Sequence, residues 1–247
     1  SIQPDQVITA MTNPKYKRVL VKLSGEALIG TKQYGIDDII IKEFASQISQ
    51  IQKEKIELII VIGGGNFFRG SDLEKLGIQR VTADHMGMLA TVTNSLALQS
   101  SVEQLGIDCR VMSSITIDAV CEKYIKRKAE RHLEKGRVII LAAGTGNPYF
   151  TTDSAASLRA IELNAEIMLK GTKVDGIYDK DPVTNSDAIL YNTISYSDIL
   201  KNNLEVMDAT AVIMCKENNM PLKVFNILEK GNLKKAILSD KIGTIID

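Results

Sequence analysis

Six short runs rich in Val, Ile and Leu recur along the chain, at Arg18 to Leu23, Leu58 to Ile62, Cys109 to Met112, Val138 to Ala142, Ile167 to Leu169 and Leu222 to Phe225. Runs this brief and this continuous suit strands buried on both faces. Between them lie segments with helical spacing. Ile40, Phe44, Ile48 and Ile51 share one stripe, with Asp37 as an N-cap. Further helices are expected at Asp84 to Leu105, Asp118 to Leu133, Ser154 to Leu163 and Asp208 to Asn219. Strand alternating with helix predicts an α/β chain whose mainly parallel sheet is covered on both faces.

A chain of 247 residues suits one large domain, or one sheet-centred core with two lobes. No Ser-rich or charge-block linker divides it, and the turn-rich stretch from Asp175 to Asp187 is where the second half changes character. Residues 1–14 are polar, with Pro4 and Pro14, and are expected to form a flexible tail and not a secretory signal. Thirty basic residues balance thirty acidic ones, which argues against a broad nucleic-acid footprint or an electrostatically held membrane surface. No apolar run is long enough to span a bilayer. The three cysteines, Cys109, Cys121 and Cys215, include no CxxC, so neither a disulfide framework nor a structural zinc site is expected, and a reduced, cytoplasmic setting is.

Four of the expected strands end in glycine turns: Lys22-Leu23-Ser24-Gly25, Gly63-Gly64-Gly65-Asn66, Gly144-Thr145-Gly146-Asn147-Pro148 and Lys170-Gly171-Thr172-Lys173. In a parallel sheet the carboxyl ends of the strands share one edge, so these turns should converge. Any one glycine could merely serve a tight turn. Several together can bring freed N–H groups close to phosphate, with helix N-termini adding their dipoles. Lys22, Arg69 and Lys170 supply cations beside them. The P-loop pattern GxxxxGK[ST] is absent, Tyr149 stands where a dinucleotide fingerprint needs its third glycine, and protein-kinase signatures are missing.

The segments Lys22 to Glu26 and Val61 to Gly70 resemble the amino acid kinase family. Asp84 to Thr91, Gly144 to Asp153, and Lys173 to Tyr178 with Asp181-Pro182 narrow the resemblance to its bacterial uridylate (UMP) kinase type, collinear from about Lys17 to Ile246. The resemblance implies MgATP and UMP as substrates, ADP and UDP as products in pyrimidine nucleotide biosynthesis, UTP as inhibitor, and a homohexamer. It also implies a three-layer αβα sandwich: a single domain over 15–247, with the acceptor part at about 15–165 and the ATP part at about 166–247. By motif position Lys22, Leu23, Ser24, Gly25, Gly65, Arg69, Thr172, Tyr178 and Asp181 would bind ATP. Gly64, Asp84, Thr145, Gly146, Asn147, Pro148, Tyr149, Phe150, Thr151 and Thr152 would bind UMP. Lys22, Asp153 and Arg69 would be catalytic, with Asp153 organising the lysine. No metal is expected on protein ligands; Mg2+ would arrive with ATP.

The acceptor in such a reaction is an ionised phosphate oxygen, so no general base is required, and positioning with charge neutralisation must do the work. Lys22, ending the first strand, is the expected centre of it. Asp153 could be a plain helix N-cap, Asp84 likewise a cap, His85 a packing residue, and Tyr178 a packed loop tyrosine. Many bacterial members are activated by GTP through basic residues near the hexamer centre. Here Asn94 to Leu105 carries no Lys or Arg, so weak or altered activation is expected, with Arg110 and Arg137 still available. Lys123, Lys126, Arg127, Lys128 and Arg131 read as a solvated helix face. A related kinase with a carboxylate acceptor, and a non-catalytic nucleotide sensor, are the two rivals.

Overall fold

The computed structural model describes residues 14–247, so the expected N-terminal tail falls outside the described residues except for Pro14. All six apolar runs form strands. In chain order the elements are β1 (Arg18–Leu23), a 3-10 turn (Gly25–Leu28), α1 (Asp38–Lys53), β2 (Glu57–Ile62), α2 (Gly70–Lys75), α3 (Arg80–Glu103) and β3 (Cys109–Ser113). Then come β4 (Glu122–Lys123), α4 (Lys126–Glu134), β5 (Val138–Ala142), α5 (Thr152–Glu162), β6 (Ile167–Thr172) and β7 (Thr193–Ile194). The chain closes with α6 (Tyr196–Lys201), α7 (Ala209–Glu217), β8 (Leu222–Asn226), α8 (Asn232–Leu238) and β9 (Thr244–Ile246).

The strands make one sheet in the order β4-β3-β5-β2-β1-β6-β8-β9-β7. Every pairing is parallel except that of β8 with β9. Because side chains alternate across a strand, β1 sends Val19, Val21 and Leu23 to one face, among Phe44 and Ile48 of α1, Leu98 of α3 and Ile237 of α8. Leu20 goes to the other, among Leu133 of α4, Ala156 and Ala160 of α5, Ile199 of α6 and Val212 of α7. The result is three layers with a core on each side of the sheet.

Two expected helices differ in the structure. The long helix starts at Arg80, so Asp84 lies a turn inside it; the N-cap position is Gln79, whose side chain makes no capping bond. The segment from Asp118 to Leu133 is not one helix. It opens with a turn at 118–121, then forms the edge strand β4, with Glu122 and Lys123 paired to Met112 and Ser113 of β3, and α4 begins only at Lys126. Pairing with an open strand edge outweighs a helical pattern that Val120, Tyr124 and Ile125 support weakly. The edge strands β4 and β7, and β9 between β8 and β7, are two or three residues long, too short for a period to show. Asp37 does cap α1, its carboxylate accepting from the N–H groups of Ile39 and Ile40.

Candidate active site

Parallel pairing sets Lys22 of β1 directly beside Lys170 of β6, both on the face that carries α5. Asp153 lies in the first turn of α5 and reaches both: one carboxylate oxygen is 3.0 Å from the Lys22 ammonium and the other 2.7 Å from that of Lys170. Lys170 also donates to the Val206 carbonyl. Thr151, not Asp153, is the N-cap of α5; its hydroxyl accepts from the Ser154 N–H at 3.0 Å. Burial by itself would raise the Asp153 carboxyl, but the two ammonium groups outweigh it and hold the group below the usual carboxylate range. The oxygen facing Lys22 is buried and takes no well-directed hydrogen bond, so it keeps acceptor capacity beside the sheet edge.

Next to this trio opens a cleft of about 480 Å³ between the β2 turn, α2, α3 and the loop after β5. Seven of the expected acceptor residues line it: Gly64, Asp84, Thr145, Asn147, Phe150, Thr151 and Thr152. Gly146, Pro148 and Tyr149 belong to the same loop without lining the cleft wall. Tyr149 is largely exposed at a φ of 73°, and its ring lies under the Arg80 guanidinium, 5.1 Å from it. Asp84 accepts from the Tyr149 N–H at 2.7 Å and from Arg80 at 3.0 Å, so its carboxylate ties the loop to α3. It is no helix cap. Phe68, Leu73, Arg80 and Met88 also line the cleft and were not expected there. Arg80 stands four residues before Asp84, an i,i+4 pairing legible in the sequence. The neighbouring His85 is exposed, which corrects its reading as a packing histidine.

On the expected donor side, Ser24 accepts from the Glu26 N–H and caps the 3-10 turn. Leu23 is buried, so its main chain is the part that could meet a ligand. A Cβ at Gly25 would lie 2.6 Å from both the Asn66 side-chain oxygen and the Gly63 carbonyl, so the β1 and β2 turns touch through glycine backbone. Gly65 lies in the β2 turn and on the cleft wall. Arg69 is not drawn into the Lys22 group; it sits 3.9 Å from Glu26, which also holds Lys173 at 2.6 Å. That hydrogen bond from Lys173 keeps the Glu26 carboxyl below its ordinary range. Thr172 closes β6, its hydroxyl donating to the Val174 carbonyl. Tyr178 and Asp181 have partners of their own in the following loop: Tyr178 bridges Leu190, and Asp181 accepts from the Val183 N–H at 2.9 Å.

Among the described residues no group of three or more His, Cys, Asp or Glu side chains is arranged to hold a metal ion, and no helix is long and apolar enough to cross a membrane. Lys123, Lys126, Arg127, Lys128 and Arg131 are exposed. Arg110 and Arg137 are both engaged by Asp108.

A carboxylate between two ammonium groups, glycine turns and an adjoining cleft lie together on one sheet edge, where cations and backbone N–H groups are of the kind that can meet anions. Comparison with known proteins points the same way. The Amino acid kinase family matches residues 17–226. A protein named uridylate kinase from Dichelobacter nodosus is 53% identical over 94% of this chain and 97% of its own length. One from Erythrobacter litoralis is 52% identical over 96% of this chain and 99% of its own. The crystal structure of a UMP kinase from Bacillus anthracis superposes with a TM-score of 0.91 at 40% identity, covering 94% of this chain and 96% of that one. The chain belongs to the amino acid kinase family.

Proposed function

We propose that this protein transfers the γ-phosphoryl group of MgATP to UMP, giving ADP and UDP, as a step in pyrimidine nucleotide biosynthesis. The observation that carries the reading is the Lys22–Asp153–Lys170 trio, whose Asp153 directly follows Thr151 and Thr152 on the wall of a cleft that holds most of the acceptor residues. The names of the relatives agree with it.

In this reading the acceptor phosphate lies against the first turn of α5, where the Thr152 hydroxyl and the main-chain N–H groups of Thr151 and Thr152 can donate and the helix dipole favours an anion. Gly64, Asp84 and the loop of Thr145, Gly146, Asn147, Pro148, Tyr149 and Phe150 enclose the rest of UMP. Asp84 has carboxylate lone pairs left after Arg80 and Tyr149 and offers them to ribose hydroxyls. ATP lies along Lys22 to Gly25, Gly65 and Arg69, with Thr172, Tyr178 and Asp181 toward its nucleoside end. A UMP phosphate oxygen forms the new P–O bond as the bond to the ADP oxygen breaks, and no proton has to be removed first. Lys22 and Arg69 meet the charge that spreads over the transferring oxygens. Asp153 is a positioning residue: as a carboxylate it would repel phosphate, but it holds the Lys22 ammonium at the edge. Mg2+ carried by ATP would supply further neutralisation of the phosphate oxygens, while Asp153 keeps both of its oxygens toward the Lys22 and Lys170 ammonium groups.

The proposal extends to a single domain over residues 15–247, with acceptor part 15–165 and ATP part 166–247, to a cytoplasmic homohexamer, and to inhibition by UTP. GTP activation is weak or altered, because the stretch from Asn94 to Leu105 carries no Lys or Arg, and Arg110 and Arg137 share the single carboxylate of Asp108. The test is ADP release measured with UMP, CMP, dUMP and carboxylate acceptors. Turnover with UMP far above the others is expected; turnover with a carboxylate and none with UMP overturns the reading.

A further inference from the structure

A 24-residue helix, α3, carries a polar stripe on its buried side: Thr91, Asn94 and Ser95 are all 5% exposed or less. Polar side chains in the middle of a helix are seldom buried without a task, because each needs partners to offset lost hydration. Ser95 satisfies itself locally on the Thr91 carbonyl. The other two also reach beyond the helix. Asn94 donates to the Gly63 carbonyl at 2.8 Å and to the Asn66 side-chain oxygen at 2.7 Å, while Asn66 donates back to Asn94 at 2.8 Å and on to the Gly35 carbonyl. The pair of amides is closed on itself, with every side-chain N–H used. The Thr91 hydroxyl donates to the Met88 carbonyl and accepts from the Ala143 N–H at 2.8 Å.

These bonds end on the glycine turns of the site. Gly63 opens the β2 turn, the Asn66 side chain is what a Cβ at Gly25 would strike, and Ala143 precedes Gly144 at the end of β5. Ala143 and Gly144 both hold left-handed backbone, with φ of 66° and 55°. Such a conformation persists in alanine only where its surroundings impose it. A Cβ at Gly64 would lie 2.9 Å from the Gly87 carbonyl, so the β2 turn also rests directly on the α3 backbone.

We infer that Thr91 and the Asn66–Asn94 pair are positioning residues, through which α3 sets the spacing of the β1, β2 and β5 turns and so the alignment of the two phosphate groups. The inference rests on the function proposed above for its kinetic consequence, but not for its structural one. Thr91 belongs to the acceptor-side turn, whereas the Asn pair belongs to the junction of both turns, so the two sites should fail differently. Thr91→Val is nearly isosteric and removes only the hydroxyl. It should raise the KM for UMP roughly tenfold, the size of one unsatisfied buried N–H, and leave that for ATP near its wild-type value. Thr91→Ser keeps the hydroxyl and should recover most of that loss. Asn94→Leu frees the Gly63 carbonyl and breaks the amide pair. It should lower kcat on the order of 100-fold, as expected when reacting groups lose alignment by about an ångström.

The same variants are to be compared by amide hydrogen exchange without nucleotide, which tests the alignment whether or not UMP is the acceptor. Faster exchange confined to residues 143–146 in Thr91→Val and to 24–26 and 63–66 in Asn94→Leu supports the inference. Exchange that rises along the whole of α3, or KM values for ATP and UMP that rise together with no recovery in Thr91→Ser, overturns it by making these residues general packing. Wild-type protein inactive on UMP, with the local exchange pattern intact, overturns the proposed acceptor and not the positioning role.

Discussion

A carboxylate clamped between two ammonium groups is the chemical centre of this molecule. Asp153 has side-chain exposure of 14%, and Lys22 and Lys170 have 12% and 14%, so little water screens the trio. The arrangement has a net positive charge, which suits a place where anionic tails meet. Lys22→Ala should lower turnover at least about 100-fold while UMP binding is largely kept, since the ammonium acts most strongly on charge that develops in the transition state. Steady-state kinetics with equilibrium UMP binding checks this. Asp153 makes a second, pH-dependent case. Its folded pKa is depressed below the ordinary 3.8, so the folded protein binds fewer protons there than the unfolded chain does. The stabilisation is therefore complete above the ordinary value and is lost as pH falls through the lower, folded one. Asp153→Asn should cost about 3 kcal/mol near neutrality, where two buried cations lose their partner. Urea unfolding should show that difference shrinking as the pH falls below the ordinary carboxylate value of 3.8 and through the lower, folded one, because the wild-type carboxyl then protonates.

At the scale of elements, strand ends and glycine turns govern what the edge can bind. The β1 turn packs against the β2 turn with no room for a side chain at Gly25. Gly25→Ala must push the Asn66 amide and the Gly63 carbonyl apart, and should reduce kcat/KM for ATP at least about tenfold, with a loss of roughly 1–3 kcal/mol in stability for an overpacked site. An ATP titration with a thermal melt separates the two effects. The six long strands and the cap of α1 were legible because burial on both faces demands unbroken apolar runs, and a carboxylate before a helix has one obvious use. The start of α3 and the edge strand β4 were not. Asp84 reads as a helix start by composition, yet its carboxylate serves the Arg80 side chain and the Tyr149 N–H, a partner 65 residues away. The fully buried Lys223 inside the β8 run is likewise explained only by its neighbours: it donates to the Ala236 and Ser239 carbonyls at the end of α8 and to Asp240.

Over the whole molecule one continuous sheet joins the proposed acceptor and ATP parts. β1 lies at its middle, paired with β2 on one side and β6 on the other. Asp208, which caps α7, accepts from Thr151 and Ser154 at the start of α5 and adds a polar tie between the two parts. Neither part has a core of its own that excludes the other, because both helix layers run across the junction. The proposed homohexamer predicts a sedimenting mass roughly six times the 27.1 kDa of one chain, as a closed symmetric assembly would have. Analytical ultracentrifugation with and without UTP checks it; a monomer or dimer at all concentrations removes the assembly from the proposal.

By itself the sequence determined the six long strands, the class of fold and the presence of glycine turns beside Lys22, Arg69 and Lys170, because local burial and backbone freedom are written in residue type and spacing. It also carried the family resemblance. Only the tertiary structure decided that Lys170 stands beside Lys22, that Asp153 bridges them while Thr151 does the capping, and that Arg69 turns to Glu26 instead. Those choices depend on strand order and register, and they are made by pairings between residues far apart in the chain. A charged side chain takes whichever partner that folding brings within about 3 Å, and no local pattern records the distance.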